Sequence, residues 1–404
     1  MTPNTNQWLA LTIALSAGLP AQASDGGLSD PGAEARRGRY LAVVGGTLID
    51  GTGAPPIPDS AIVIEGERVR AAGPRRQIRI PPGSIPVDAT GLTVMPGLVD
   101  MHVHLVPDLP LERFLEFGVT SVRHMGDTTL EWITKLERKV EAGEIPGPRI
   151  FHCGVFVVSR PPFHQESYSP EDLTHFAILG GPGEVSALVR RLEEAGADLV
   201  KVEMEMSPEA IGALTAEATK AGLPVSFDTG AGAWSYNALT ALDAGARGVE
   251  HLSGVDFEDP LQVEAVFEKM LATGAFADPT LTVLKRAYSD RRIQERAAFS
   301  ARLAKAGGMV VAGTDSPTHG LAYGSSLHDE MGNLAAAGLS ATMAVGAATG
   351  VAGRALARPG LVGTLEAGSY ADFLILGGNP YEDIGATRKI LAVYKGGKRV
   401  HTGD

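Results

Sequence analysis

Apolar residues in this chain recur with two different periods, and the change between them divides the sequence. Near both ends they alternate every second position, at 40–47, 60–65, 69–72 and 85–88 on one side and at 373–376 and 391–395 on the other. Gly396 and Gly397 then stand ready to turn the chain into Arg399-Val400-His401. Successive side chains leave a strand on opposite faces, so this alternation predicts short strands. Neither end has the apolar surface to stand by itself, and pairing the two into one small β unit is the economical arrangement. Between the ends, apolar runs at 94–105, 119–125, 149–158, 198–204, 224–228, 248–252, 275–283 and 309–315 each precede a stretch of helical period. Those stretches lie at 111–117, 130–142, 184–195, after Ser207-Pro208, and at 235–244, 261–273, 292–306 and 327–337. Eight strand–helix pairs predict the α/β class, a closed (β/α)8 TIM-type barrel with its reactive groups at the carboxyl ends of the strands. The expected organisation is a barrel over 93–359 and a small β-sandwich domain built from 39–92 with 360–404.

The first residues are of another kind. The stretch 8–23 is an apolar run ending in a small-x-small site, which predicts a signal peptide over 1–23 cleaved before Ser24, then a flexible linker over 24–38. The run is short for a membrane span and has no flanking Lys or Arg, so its positive end is the amino terminus alone. The expectation is a periplasmic or secreted protein with no stable membrane span once the signal is removed. A net charge of -12 and a pI near 5.4 argue against a nucleic-acid partner, because no basic field is available to displace phosphate counterions. Cys153 is the only cysteine, so no internal disulfide can form. Composition leaves the oligomeric state, a homo-oligomer included, open.

Candidate chemistry collects where the predicted strands end. His102 and His104 close the first run two residues apart, so both imidazoles leave the strand on one face and aim at one point. Such a pair is either one arm of a metal site or two half-buried histidines. Lys201 lies between Val200 and Val202, His251 closes the sixth run and Asp315 the eighth. A lysine in such a strand is an expensive buried cation unless neutralised or paired. Neutral, it can take up carbon dioxide as a carbamate; charged, it has Glu203 on the same face as a partner.

These residues carry a resemblance. The segments Pro96-Gly97-Leu98-Val99-Asp100-Met101-His102-Val103-His104, Gly118-Val119-Thr120-Ser121-Val122-Arg123, Val200-Lys201-Val202, Val249-Glu250-His251, Ala312-Gly313-Thr314-Asp315 and Ala347-Ala348-Thr349, with the run 362–372, resemble the metal-dependent amidohydrolase superfamily. The similarity is to its imidazolonepropionase-like and prolidase-like branch, and it runs from about Val43 to the C-terminus. It implies that His102, His104 and Asp315 bind one divalent ion, that His251 binds a second, and that a Lys201 carbamate bridges the two. Asp315 would also shuttle the proton. The ions would be zinc or manganese, and the reaction the hydrolysis of a C–N bond in an amide, lactam or dipeptide-like substrate by metal-activated hydroxide, as in a dipeptidase or carboxypeptidase. An esterase or lactonase on the same site is the near alternative.

The fifth strand departs from the family pattern. Asp228 stands where a histidine is usual, and no histidine occurs between His175 and His251. Asp228 is expected to serve as a metal ligand in that place, which makes the site richer in oxygen and moves its preference from zinc toward manganese; the alternative, Asp228 as a non-ligand, is a degenerate, non-catalytic barrel. His124, in the second strand, is either a base near the site or a satisfied core group. In the loops, Arg160 is a candidate grip for a substrate carboxylate, His164 or His319 for polarising a carbonyl, and Phe163 or Tyr323 for a pocket wall. Substrate-binding residues are otherwise left open.

Overall fold

The computed structural model describes residues 39–160, 165–203, 206–229 and 237–403. The expected signal peptide and linker, and with them Phe163 and His164, lie outside the described residues. Six strands come first: β1 (Tyr40–Val44), β2 (Thr47–Leu48), β3 (Ser60–Glu65), β4 (Arg68–Pro74), β5 (Ile85–Asp88) and β6 (Thr93–Pro96). One small sheet, in the order β4-β3-β1-β5, is made from these alone. A second sheet needs the other end of the chain, because β6 pairs antiparallel with Phe373–Leu376, placing Leu374 opposite Met95. Val43, Ile62 and Ile64 of the first sheet pack in one cluster with Val94, Phe373, Ile375 and Tyr394 of the second, the interior of a small sandwich.

The expected run 94–105 is therefore two strands, divided at Gly97. Its first half, β6, belongs to the small domain, and its second, β7 (Leu98–Val103), opens the barrel. A Cβ at Gly97 would run into the Thr120 side chain of the adjacent strand, so glycine is what lets the chain cross between the domains here. The ring continues through β8 (Val119–His124), β9 (Arg149–His152), β10 (Phe156–Ser159), β12 (Val200–Glu203), β13 (Val225–Asp228), β14 (Gly248–Glu250), β15 (Phe276–Asp278) and β16 (Met309–Val310), with β11 (Phe176–Leu179) beside β10 and outside the ring. All neighbouring barrel pairs are parallel. Two seams complete it. The Asp198 N–H donates to the His152 carbonyl on one side, and on the other the Met101 N–H donates to the Ala312 carbonyl and the His104 N–H to the Ser316 carbonyl.

Three strands differ from expectation. The run 149–158 breaks into β9 and β10, and β10 recruits β11, a strand the sequence pattern did not announce, at the outer edge of the sheet. The run 275–283 ends as a strand at Asp278 and becomes a helix over Leu281–Ala287. The run 309–315 is a strand only at Met309–Val310, because the residues after it turn inward to reach the site. Among the helices, Ser207 and Asp259 cap their segments as their residue types favour, each accepting from backbone N–H groups of the first turn. Among the described residues no helix is long and apolar enough to cross a membrane.

One buried carboxylate fastens the first barrel strand to the last. Asp100 accepts hydrogen bonds from the Thr314 N–H at 3.0 Å, the Thr314 hydroxyl at 2.8 Å and the His102 N–H at 3.3 Å. The Asp315 N–H donates to the His102 carbonyl at 2.7 Å, and Asp315 itself adopts a left-handed backbone with φ 59°. Asp100 is fully buried, so truncating it strands three donors with no water to replace it. Asp100→Ala should lose roughly 2–4 kcal/mol of stability, read from the denaturant midpoint at unchanged slope.

Candidate metal centre

At the carboxyl mouth of the barrel three imidazoles turn their Nε2 atoms toward common ground, each tethered through its other nitrogen. His102 Nδ1 meets the Glu250 carboxylate at 2.9 Å, His104 Nδ1 the Gly126 carbonyl at 3.0 Å, and His251 Nδ1 the Thr280 hydroxyl at 2.6 Å. The His102 ring centroid lies 5.3 Å from that of His104 and 4.7 Å from that of His251. Asp315 joins them: its Oδ1 is 3.1 Å from His104 Nε2 and 3.9 Å from His102 Nε2. Ligand atoms of His102, His104 and Asp315 all fall within 4.8 Å of one another. His102 Nε2 is fully buried and has no hydrogen-bond partner, an expensive state for a ring nitrogen unless its lone pair is meant for a cation. The donor set therefore fits a divalent ion.

The opposite wall holds the rest. Asp228 Oδ2 lies 3.2 Å from His251 Nε2 and 3.7 Å from Lys201 Nζ, while Asp228 Oδ1 accepts from the Ser253 hydroxyl at 3.0 Å. Lys201 Nζ is 3.0 Å from Glu203 Oε2 and 5.0 Å from the centre of the Phe156 ring. Register explains the grouping: Lys201 is level with Ser226 and Glu203 with Asp228 on adjacent parallel strands, so their side chains share the barrel interior. All six residues picked from the sequence, His102, His104, Lys201, Asp228, His251 and Asp315, thus meet in one place.

Protonation follows from burial set against neighbours. Burial, with Lys201 adding to it, pushes His102 down to about 3, so its ring is neutral at ordinary pH. Burial also works against a charge on His251, but the Asp228 and Asp315 carboxylates outweigh it and raise that ring to about 9. For Asp315 the cost of burial is overcome by the His104 hydrogen bond and the nearby imidazoles, which hold its carboxyl far below the usual range. Burial pushes Glu203 up to about 7 against the pull of Lys201. Lys201 itself is held charged, since Glu203, Asp228 and more distant carboxylates overcome its desolvation.

Beneath the site lies a group that motif reading missed. The Arg123 guanidinium donates from Nη2 to both Glu250 oxygens, at 2.9 and 2.8 Å, and approaches Asp278 at 3.3 Å. The Ser226 hydroxyl also binds Glu250. Burial opposes a charge on Glu250, but Arg123 and His102 keep its carboxyl well below the ordinary range, whereas burial and Glu250 push Asp278 far above it. The signal was present in the sequence: an arginine inside the run Thr120-Ser121-Val122-Arg123 demands a buried counter-charge.

The cavity over the centre holds about 400 Å³, and Phe156, Tyr168, Phe176, Asp127, Asp172 and Thr318 join His104, Lys201, Asp228, His251 and Asp315 in its wall, with His102 buried behind them. A larger cleft of about 920 Å³, lined by Glu67, Arg68, Arg149, Tyr370 and Lys395, contains none of the six. His124 proves to be a core group. Its Nδ1 accepts from the Leu105 N–H at 3.0 Å and its Nε2 donates to the Thr128 hydroxyl at 2.9 Å, which leaves nothing for a substrate. Tyr323 is likewise inward, donating its hydroxyl to the His104 carbonyl at 2.7 Å and stacking on Phe114, so it props a histidine and does not wall the pocket. Neither Arg160 nor His319 is part of the cavity wall.

The comparisons agree with this geometry. The model of the amidohydrolase family matches residues 93–400. A candidate prolidase from Bifidobacterium longum is similar in structure, with a TM-score of 0.74, 26% identity and coverage of 90% of this chain and 95% of that one. The imidazolonepropionase of Cereibacter sphaeroides (strain KD131 / KCTC 12085) is 44% identical over 61 residues, 15% of this chain and 14% of that protein. The dihydroorotase of Geobacter metallireducens (strain ATCC 53774 / DSM 7210 / GS-15) is 41% identical over 66 residues, 16% of this chain and 15% of that protein. The chain thus spans only about 15% of the length of these two curated relatives in the matched stretches. With its motifs, its barrel and a family match over most of its length, the chain belongs to the amidohydrolase family.

Proposed function

We propose that this chain hydrolyses a C–N bond in a small amide, lactam or dipeptide-like substrate, with a divalent cation held by His102, His104 and Asp315. The observation that carries the reading is the partnerless, fully buried Nε2 of His102 facing His104 and Asp315 at the barrel mouth. A divalent ion there supplies Lewis acidity, making water acidic enough to attack near neutral pH and polarising the carbonyl. Asp315, ionised and steadied by the Thr318 hydroxyl at 3.1 Å, takes the proton of the attacking water and returns it to the leaving amine. Phe156, Tyr168 and Phe176 give the cavity an apolar side against which a substrate carbonyl would lie, and low-dielectric walls strengthen the charge interactions beside them. The likeness to a candidate prolidase supports a dipeptide-like substrate.

For the opposite wall we propose that His251 and Asp228 would hold a second ion, with Lys201 as its carbamate a further ligand, an oxygen-rich set that would favour manganese over zinc. A second reading is favoured by the 3.0 Å contact of Lys201 with Glu203: the lysine stays a cation, and the site holds one ion. Metals per chain after loading with and without bicarbonate separate the two. Two ions with a carbamate signal in 13C spectra support the first; one ion and no carbamate establish the second; no ion overturns the metal reading.

Two further outcomes are expected. Asp315→Asn should lower kcat by about 10²- to 10⁴-fold, measured on a panel of dipeptides, N-acyl amino acids, lactams and esters. Turnover confined to the esters would replace the C–N assignment. In the metal-free chain, His251 is raised above its unfolded value of about 6.5, so the stability it contributes is complete below that pH and lost as pH climbs through about 9. Thermal midpoints should fall across that window in the parent and stay flatter in His251→Gln. Loading of the His251 side must expel the same proton, so its affinity should rise over the same window.

A further inference from the structure

The three histidines differ in what stands behind them. The Gly126 carbonyl and the Glu250 carboxylate can only accept, so His104 and His102 each carry a proton on Nδ1; His104 Nε2 faces the Asp315 carboxylate, whereas His102 Nε2 meets no partner and is left unprotonated. The Thr280 hydroxyl behind His251 can donate or accept, and the Asp228 carboxylate on the other side keeps a proton on that ring's Nε2. Only His102 has an anion behind its Nδ1. That anion is itself fixed, with Arg123 Nη2 on both of its oxygens and the Ser226 hydroxyl on Oε1, all buried inside the barrel. A carboxylate on the far nitrogen raises the basicity of a ligating imidazole and holds its plane.

We propose that Glu250 is a positioning residue of the metal centre: through His102 it presets the tautomer and the charge that make the His102–His104–Asp315 position the tighter one in the cavity. Arg123 keeps the carboxylate in place. The inference rests on the metal reading above, but it can fail separately. In Glu250→Gln the amide keeps the shape while removing the charge. Facing Arg123 with its oxygen, it turns its NH₂ toward His102 Nδ1 and drives the proton to Nε2, where the cation belongs.

The test uses the full chain and cobalt(II) or zinc(II) alone as probe, with affinity measured by competition against a chromophoric chelator. Glu250→Gln should bind about 10- to 100-fold more weakly than the parent, with an altered cobalt absorption spectrum. Equal affinity in variant and parent overturns the role of Glu250 and leaves the metal reading intact, and so does a drop in metal-free thermal midpoint with no change in affinity. A parent that binds neither ion overturns the metal reading itself. Should Glu250→Gln not fold, 15N shifts of the metal-free parent decide: an Nδ1–H tautomer at His102 supports the proposal, and an Nε2–H tautomer sinks it.

Discussion

Ionisable groups inside a closed barrel cannot be left to water, and the arrangement of this site follows from the need to pair each of them. Asp100 is satisfied by the backbone of the eighth strand, Glu250 by Arg123 and His102, Asp315 by His104 and Thr318, and Lys201 by Glu203. Removing one partner from such a set leaves a buried charge with nothing to meet it, which is costlier than the pair is stabilising. The bonds that keep these charges tolerable also fix the rings and carboxylates in place. Structural satisfaction and chemical alignment are the same set of contacts.

The legible part of this protein was the part written in periods and in strand ends. Alternation at the two ends led to a shared small domain, and the strand–helix rhythm led to the barrel, because both patterns report which side of an element is dry. His102, His104, Lys201, His251 and Asp315 could be picked out because reactive groups on a barrel gather at one rim. What stayed hidden depended on tertiary detail. Gly97 divides one apolar run between two domains, and only a neighbouring Thr120 shows why. The strand β11 is paired by β10 alone, with no alternation of its own to announce it. His124 had the residue type of a catalytic group, and its quiet role came from Leu105 and Thr128, partners no spacing rule names.

Asp228 deserves reading together with its neighbours. Level with Glu203 across two strands, it gives Lys201 and His251 two carboxylates where the family pattern offers a neutral ring. This makes the far wall of the cavity richer than the near one in both carboxylates and the protons they hold. The two halves of the centre therefore differ in kind: a nitrogen-rich position built on His102, whose ring proton is set in advance, and an oxygen-rich position whose protons must be displaced before a cation can enter.

The pairing of β6 with the strand at Phe373–Leu376 bears on how the molecule is made. The strand that carries His102 and leads into His104 follows β6 directly, and β6 finds its antiparallel neighbour almost three hundred residues later in the chain. A nascent polypeptide leaving the ribosome has to keep its early β segment waiting until nearly the last strand has emerged, since contacts this distant in sequence form late and slowly. Assembly of the reactive rim is thereby tied to the emergence of that distant strand, and a chain cut short before it would lack the clasp that anchors its first two histidines.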